Sequence, residues 1–216
     1  MDPLNRIFIK EACWRAAKKN DFEELKWAFN EGCILDSTTI SYATKHGNCE
    51  IIEWALENGC KKDSSAIMNA ALVNNFKMVD FLLEKKFPMD EYACSFAALG
   101  GNFEMLQYLR SKNCPWDERT LSAAACKGRR DIIKWSHNHG CKHKNHPSIC
   151  ESAAECGQLE CLKWLIEKVG YNYDRAYRSA KMSNQDEVIS YLKKNRYHKG
   201  FGTFLINNDS SEEDSD

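Results

Sequence analysis

Four histidines and a cysteine crowd into ten residues, His137, His139, Cys141, His143 and His146, with Cys150 four positions further on. Imidazole and thiolate are good zinc ligands, so His137, His139, Cys141 and His143 are the residues that could hold a metal. Their spacing fits no common zinc motif. His146 falls where a helix N-cap is expected, Pro147 suits the first helical position, and Cys150 falls at a core position. The alternative reading is a polar surface loop that gains positive charge below about pH 6.5. Elsewhere the chain has no Gly-rich phosphate loop, nucleophile elbow, metalloprotease helix or repeated acid/base pair. These residues point away from an enzyme and require no cofactor.

The chain has eleven cysteines in 216 residues, an odd number in a large chain. Cys33 and Cys60, and again Cys114 and Cys141, stand 27 residues apart, which suits reduced, small apolar packing residues better than a disulfide framework. No stretch approaches the ~18 apolar residues that cross a bilayer, and the opening MDPLNRIFIKEACW lacks the apolar run of a secretory signal. A cytoplasmic protein that does not engage a membrane is expected. The final ten residues, NNDSSEEDSD, hold five acids and no base; the 30 bases and 26 acids before them leave residues 1–206 at a net +4. With no apolar anchor, that tail reads as a disordered, solubilising segment in which Ser210 and Ser211 precede acidic residues, as acidophilic kinases require.

The elements that position these residues follow from two ladders. Trp27, Trp54, Phe81, Tyr108 and Trp135 stand 27 residues apart, and Trp164 and Tyr191 continue the series at spacings of 29 and 27. Ala16, Ala43, Ala70, Ala97, Ala124, Ala153 and Ala180 keep the same intervals, including the same 29. Two ladders that slip together mark internal repeats, each unit burying its apolar face only by stacking on its neighbours.

Residues 117–141, DERTLSAAACKGRRDIIKWSHNHGC, show the local logic. Asp117 is suited to an N-cap, Leu121, Ala124 and Ala125 share a helical face, and Gly128 ends that first helix. Ile132, Ile133 and Trp135 give a second helix that stops at Gly140. Helices of about ten residues are too short to stand alone in water, so stacking must stabilise them. The fold expected is all-α, a solenoid of helical hairpins.

The segments AACKGRRDIIKWSHNHG, ALGGNFEMLQYLRSKN and AAECGQLECLKWLIEKVG resemble the helical half of ankyrin repeats. The usual ankyrin unit has about 33 residues and a finger with a Thr-Pro-Leu-His box. That box is absent here, and Cys-Pro-Trp-Asp or Gly-Cys-Lys-Lys-Asp stands where the shortened finger would be. Such short, cysteine-marked units are similar to those of giant DNA viruses and their protist hosts. The resemblance covers residues 12–195, about seven repeats, and implies a non-catalytic scaffold that binds another protein. For a virus-encoded member it implies a host factor as the partner and the host cytoplasm as the location. The chain divides into an N-terminal capping repeat (1–37), internal repeats (38–174), a C-terminal capping repeat with an apolar extension (175–206) and the acidic tail (207–216). Glu24 replaces the Ile51, Met78, Met105 or Ile132 of other units, which leaves one face of the first unit wet. Lys181 and Asn184 mark the last unit as atypical, and Phe201, Phe204, Leu205 and Ile206 could cover its open end.

The resemblance also implies that binding residues lie on the concave side of each first helix, one before the small pair and two after it. These are Arg15, Lys18 and Lys19; Tyr42, Lys45 and His46; Asn69, Leu72 and Val73; Phe96, Leu99 and Gly100; Ala123, Cys126 and Lys127; and Ser152, Glu155 and Cys156. Tyr42, Lys45, His46, Asn69, Leu72, Val73, Phe96 and Leu99 form the candidate partner site, an apolar strip beside positive charge. Alternatively Leu72 and Phe96 pack against a neighbouring unit and belong to the core, and Lys18 and Lys19 are a solvated cap face. A nucleic-acid-binding or zinc-binding structural protein is the competing function. Few aromatics interleave with Lys18, Lys19, Arg129 and Arg130, and an acidic tail would compete for basic surface, so nucleic acid is the weaker partner.

Overall fold

The computed structural model describes residues 3–141, 148–169 and 173–195, and these form fourteen α-helices with no strand. They pair in chain order: α1 Pro3–Lys19 with α2 Phe22–Asn30, α3 Ser37–His46 with α4 Cys49–Glu57, α5 Ser65–Leu72 with α6 Phe76–Glu84, and α7 Glu91–Leu99 with α8 Phe103–Ser111. The series continues with α9 Glu118–Cys126 and α10 Arg130–Asn138, α11 Ser148–Glu155 and α12 Leu159–Val169, and α13 Tyr173–Met182 and α14 Asp186–Asn195. Odd-numbered helices pack on one another in sequence as an inner row, and each even-numbered helix packs on its own partner. The architecture is the expected helical-hairpin solenoid of seven units.

The two ladders explain the layers. Every alanine from Ala16 to Ala180 in the 27-residue series is fully buried, and the missing side-chain bulk lets inner helices approach closely. Larger residues fill the space between the layers: Leu25, Ile51 and Ile52, Met78 and Val79, Met105 and Leu106, Ile132 and Ile133, then Leu162 and Val188. One core therefore runs through the stack, and each such side chain contributes about 1.5–3 kcal/mol by leaving water. The aromatic ladder lies over this core, with Trp54, Phe81, Tyr108, Trp135, Trp164 and Tyr191 half-buried against it. Its members meet rings of the preceding unit edge-to-face, as in Phe22–Trp54 at 5.6 Å, Phe76–Tyr108 at 5.2 Å and Phe103–Trp135 at 5.6 Å. Trp27, in the first described unit, is 59% exposed.

Local chemistry sets the helix ends. Asp36, Asp90 and Asp117 cap α3, α7 and α9 by accepting from the backbone N–H of Thr38, Tyr92 and Arg119. Each first helix ends at a left-handed residue, Asn20, Gly47, Asn74, Gly101, Gly128, Gly157 or Asn184, which turns the chain into the second helix. In the first unit Glu24 pairs with Lys19 at 2.9 Å, and Lys181 of the last described unit is exposed. The six-residue connections between units, such as 31–36 and 112–117, carry no strand. The apolar extension at Phe201, Phe204, Leu205 and Ile206, the tail with Ser210 and Ser211, and His143 and His146 all lie outside the described residues.

Candidate protein-binding face

On α7 five residues are buried, Ala93, Cys94, Ser95, Ala97 and Ala98, which leaves Tyr92, Phe96 and Leu99 as a stripe at i, i+4 and i+7. Tyr92 is 42% exposed and Phe96 and Leu99 are half-buried. On α5 the matching stripe is Met68 and Leu72, with Val73 just past the helix end and 43% exposed. Leu72, Phe96 and Leu99 are neither in the core nor among the half-buried residues packed against it. Together these side chains make an apolar strip on the open side of two adjacent inner helices.

Positive charge lies towards the N-terminal end. Lys18, Lys45 and His46 are exposed. Tyr42 is half-buried, stacks on Trp14 at 6.2 Å and lies 5.5 Å beneath the Lys45 ammonium, while the His46 ring Nε2 lies 2.9 Å from the Lys18 carbonyl. Arg15 and Lys19, which the sequence groups with these bases, are paired with Glu11 and Glu24 and contribute less free charge. On the other flank Arg119 sits 4.6 Å over Tyr92 and pairs with Glu91 at 3.1 Å. The strip thus has exposed bases on its N-terminal flank and, on the other, a guanidinium already paired with Glu91 and Asp117.

One of the eight candidate partner-site residues departs from this face. Asn69 is only 5% exposed, because it shares the packed side of α5 with Ala66 and Ala70 at helical spacing, and Met68 occupies the open side instead. Gly100 abuts the previous unit: a Cβ there would lie 2.7 Å from the Leu72 carbonyl oxygen. Tyr92, Met68 and Trp14 belong to the face and lie outside the register counted from the alanine pair. Their spacing of four from Phe96, from Leu72 and from Lys18 is the signal that places them there.

Of the histidine-rich segment, residues 137–141 are described. His139 stacks on Trp135 at 4.3 Å, and its Nδ1 lies 2.8 Å from the Trp135 carbonyl at the end of α10. Cys141 is 3% exposed and donates its thiol to the Asp117 carbonyl at 3.2 Å. Burial pushes that thiol up to about 12. His137 is exposed on α10. No group of three metal-ligating side chains occurs among the described residues. The same environment recurs at Cys60 and Cys114, whose thiols donate to Asp36 and Asp90 carbonyls. The expectation of reduced packing cysteines fails at one pair. Cys126 and Cys156 are joined in a disulfide, with Cα atoms 5.2 Å apart at a sequence separation of 30. The bond pairs the first residue after one small pair with the second residue after the next, a stagger that repeat-locked counting does not bring together.

A family model for ankyrin repeats, in three copies, matches residues 13–92. The crystal structure of the human ASB11 ankyrin repeat domain is similar over 84% of this chain and 96% of that chain, with a TM-score of 0.52 and 19% sequence identity. At that identity the likeness shows the fold. No curated protein matches the sequence. No helix among the described residues is long and apolar enough to cross a membrane.

Proposed function

We propose, from a chain whose residues 13–92 are ankyrin repeats and whose helical stack has the ankyrin fold, that the protein is a non-catalytic scaffold that binds another protein. Ankyrin repeats in general serve as protein–protein interaction scaffolds. The observation that carries the reading is the strip of Leu72, Val73, Tyr92, Phe96 and Leu99, apolar side chains on the open side of α5 and α7 that the core does not use. Apolar anchors bordered by charge are what a partner's hot-spot residues dock against. A stack held by its own core offers that strip preformed, so little ordering entropy opposes binding. The resemblance to viral and protist repeats makes a host-cell protein in the cytoplasm the first partner to seek.

The test compares the intact protein with a paired Phe96→Asp, Leu99→Asp variant as bait in a cell lysate, with bound chains identified by mass spectrometry and helical content followed by circular dichroism. A protein held by the first and lost by the second, at equal helicity, supports the reading. Equal capture by both, or nucleic acid as the main bound species, overturns it.

A further inference from the structure

Of the nine unbonded cysteines, eight are buried and Cys49 is half-buried. Burial holds Cys60 and Cys161 up at about 11, and Cys141 and Cys150 up at about 12. Thiolate is the form that reacts, so these side chains are inert packing groups.

Cys126 and Cys156 differ in place and in surroundings. Cys126 is the last residue of α9 and Cys156 follows the last residue of α11, both half-buried on the open side of the inner row. The corresponding first positions in earlier units hold Lys18, Lys45, Leu72 and Leu99, side chains turned to solvent rather than to the core. Their Cα separation of 5.2 Å lies inside the ~4.4–6.8 Å that a disulfide spans, so the helices as placed accommodate the bond. A cross-link set at the rim of a stack is within reach of small thiols, as a buried one is not.

We propose that Cys126 and Cys156 form a reversible dithiol/disulfide site, a redox-responsive cross-link between the ends of inner helices α9 and α11, with glutathione-type thiols and disulfides as its exchange partners. In closing, one cysteine thiolate attacks the glutathione disulfide, forming a mixed disulfide and releasing one reduced glutathione. The other cysteine thiolate then attacks the protein sulfur of that mixed disulfide and releases a second. Two protein thiols are oxidised, one glutathione disulfide is reduced, and their two protons pass to solvent and the leaving thiolates. Closure ties residues 127–155, which include α10 and α11, into one loop. The site stands independently of what docks on α5 and α7.

Full-length protein equilibrated in buffers of graded glutathione to glutathione disulfide ratio, acid-quenched, alkylated and mapped by mass spectrometry reads the site directly. Cys126 and Cys156 should convert together from two alkylated thiols to one linked peptide, while the other nine cysteines stay thiols. In Cys126→Ser, Cys156 should carry glutathione instead. Amide exchange in α9 and α11 should slow by about tenfold on closure. The proposal is overturned if the pair stays as thiols in the most oxidising buffer, or stays bonded in the most reducing one. It is equally overturned if other cysteines react at the same ratio. The wild-type titration decides these outcomes whether or not the serine variant folds.

Discussion

The thiol of Cys60 donates to the backbone carbonyl of Asp36, 3.1 Å away and 24 residues earlier, and so ties the end of one unit to the helix cap that opens it. Cys114 makes the same bond to Asp90 at 3.3 Å, and Cys141 makes it to Asp117 at 3.2 Å. The cysteine in the shortened connection is thus both packing group and donor. Burial holds the thiols of Cys60 and Cys141 protonated in the fold, at about 11 and about 12, above the ordinary value of 9.0. The unfolded chain releases these protons first, so stability should be constant below about pH 9 and fall as pH rises through 11 to 12. Urea denaturation at a series of pH values checks this; a curve flat to pH 11 would remove the buried thiols from the account.

Gly100 allows two inner helices to meet. A Cβ at that position would come within 2.7 Å of the Leu72 carbonyl oxygen and 2.5 Å of Asn102 Nδ2. Asn102 uses that amide to donate to the Ala71 and Leu72 carbonyls at 3.1 and 3.0 Å. Gly100→Ala should therefore cost about 1–3 kcal/mol, an overpacking effect with backbone on one side. Chemical denaturation measures it, and an unchanged midpoint would show that the two units can separate freely.

Thr44 is fully buried, and its hydroxyl has no hydrogen-bond partner among the described residues. The equivalent residues are Ala17, Ala71, Ala98, Ala125 and Ala154, all buried. Thr44→Val keeps the shape and removes the stranded hydroxyl, so stability should rise by about 1 kcal/mol. A lower thermal midpoint for the valine variant would contradict it.

The aromatic ladder should be energetically uneven. Trp54 is met edge-to-face by Phe22 at 5.6 Å and Phe29 at 5.3 Å, whereas Trp27 is 59% exposed. Trp54→Ala should cost about 3 kcal/mol and Trp27→Ala less than about 1 kcal/mol. Equal losses in paired thermal melts would mean that Trp27 is covered in solution.

The stack was legible in the sequence because its determinants are local and repeat together. Asp117 caps α9, and Gly128 and Gly140 take the left-handed backbone conformations expected of them. The apolar face was legible in part. Leu72, Val73, Phe96 and Leu99 stand on the open side, while Asn69 is drawn into the packing and Tyr92 takes a place that counting from the alanines does not reach. The Cys126–Cys156 bond was not legible. It joins unequal positions across the unit with the two-residue insertion, and only the helices' relative placement brings them to 5.2 Å.

The donation from Asn102 to the Ala71 and Leu72 carbonyls shifts where the molecule can be cut. The end of α5 is completed from the start of α8, 30 residues or about one repeat later along the chain. Gln185 does the same for the Glu155 carbonyl at the end of α11, at 3.0 Å. A fragment trimmed at the boundary after α6 keeps a whole repeat by count and leaves two carbonyls open to water. The smallest piece that retains a finished α5 therefore extends through Asn102, and truncation series on this protein should advance in steps offset by half a repeat.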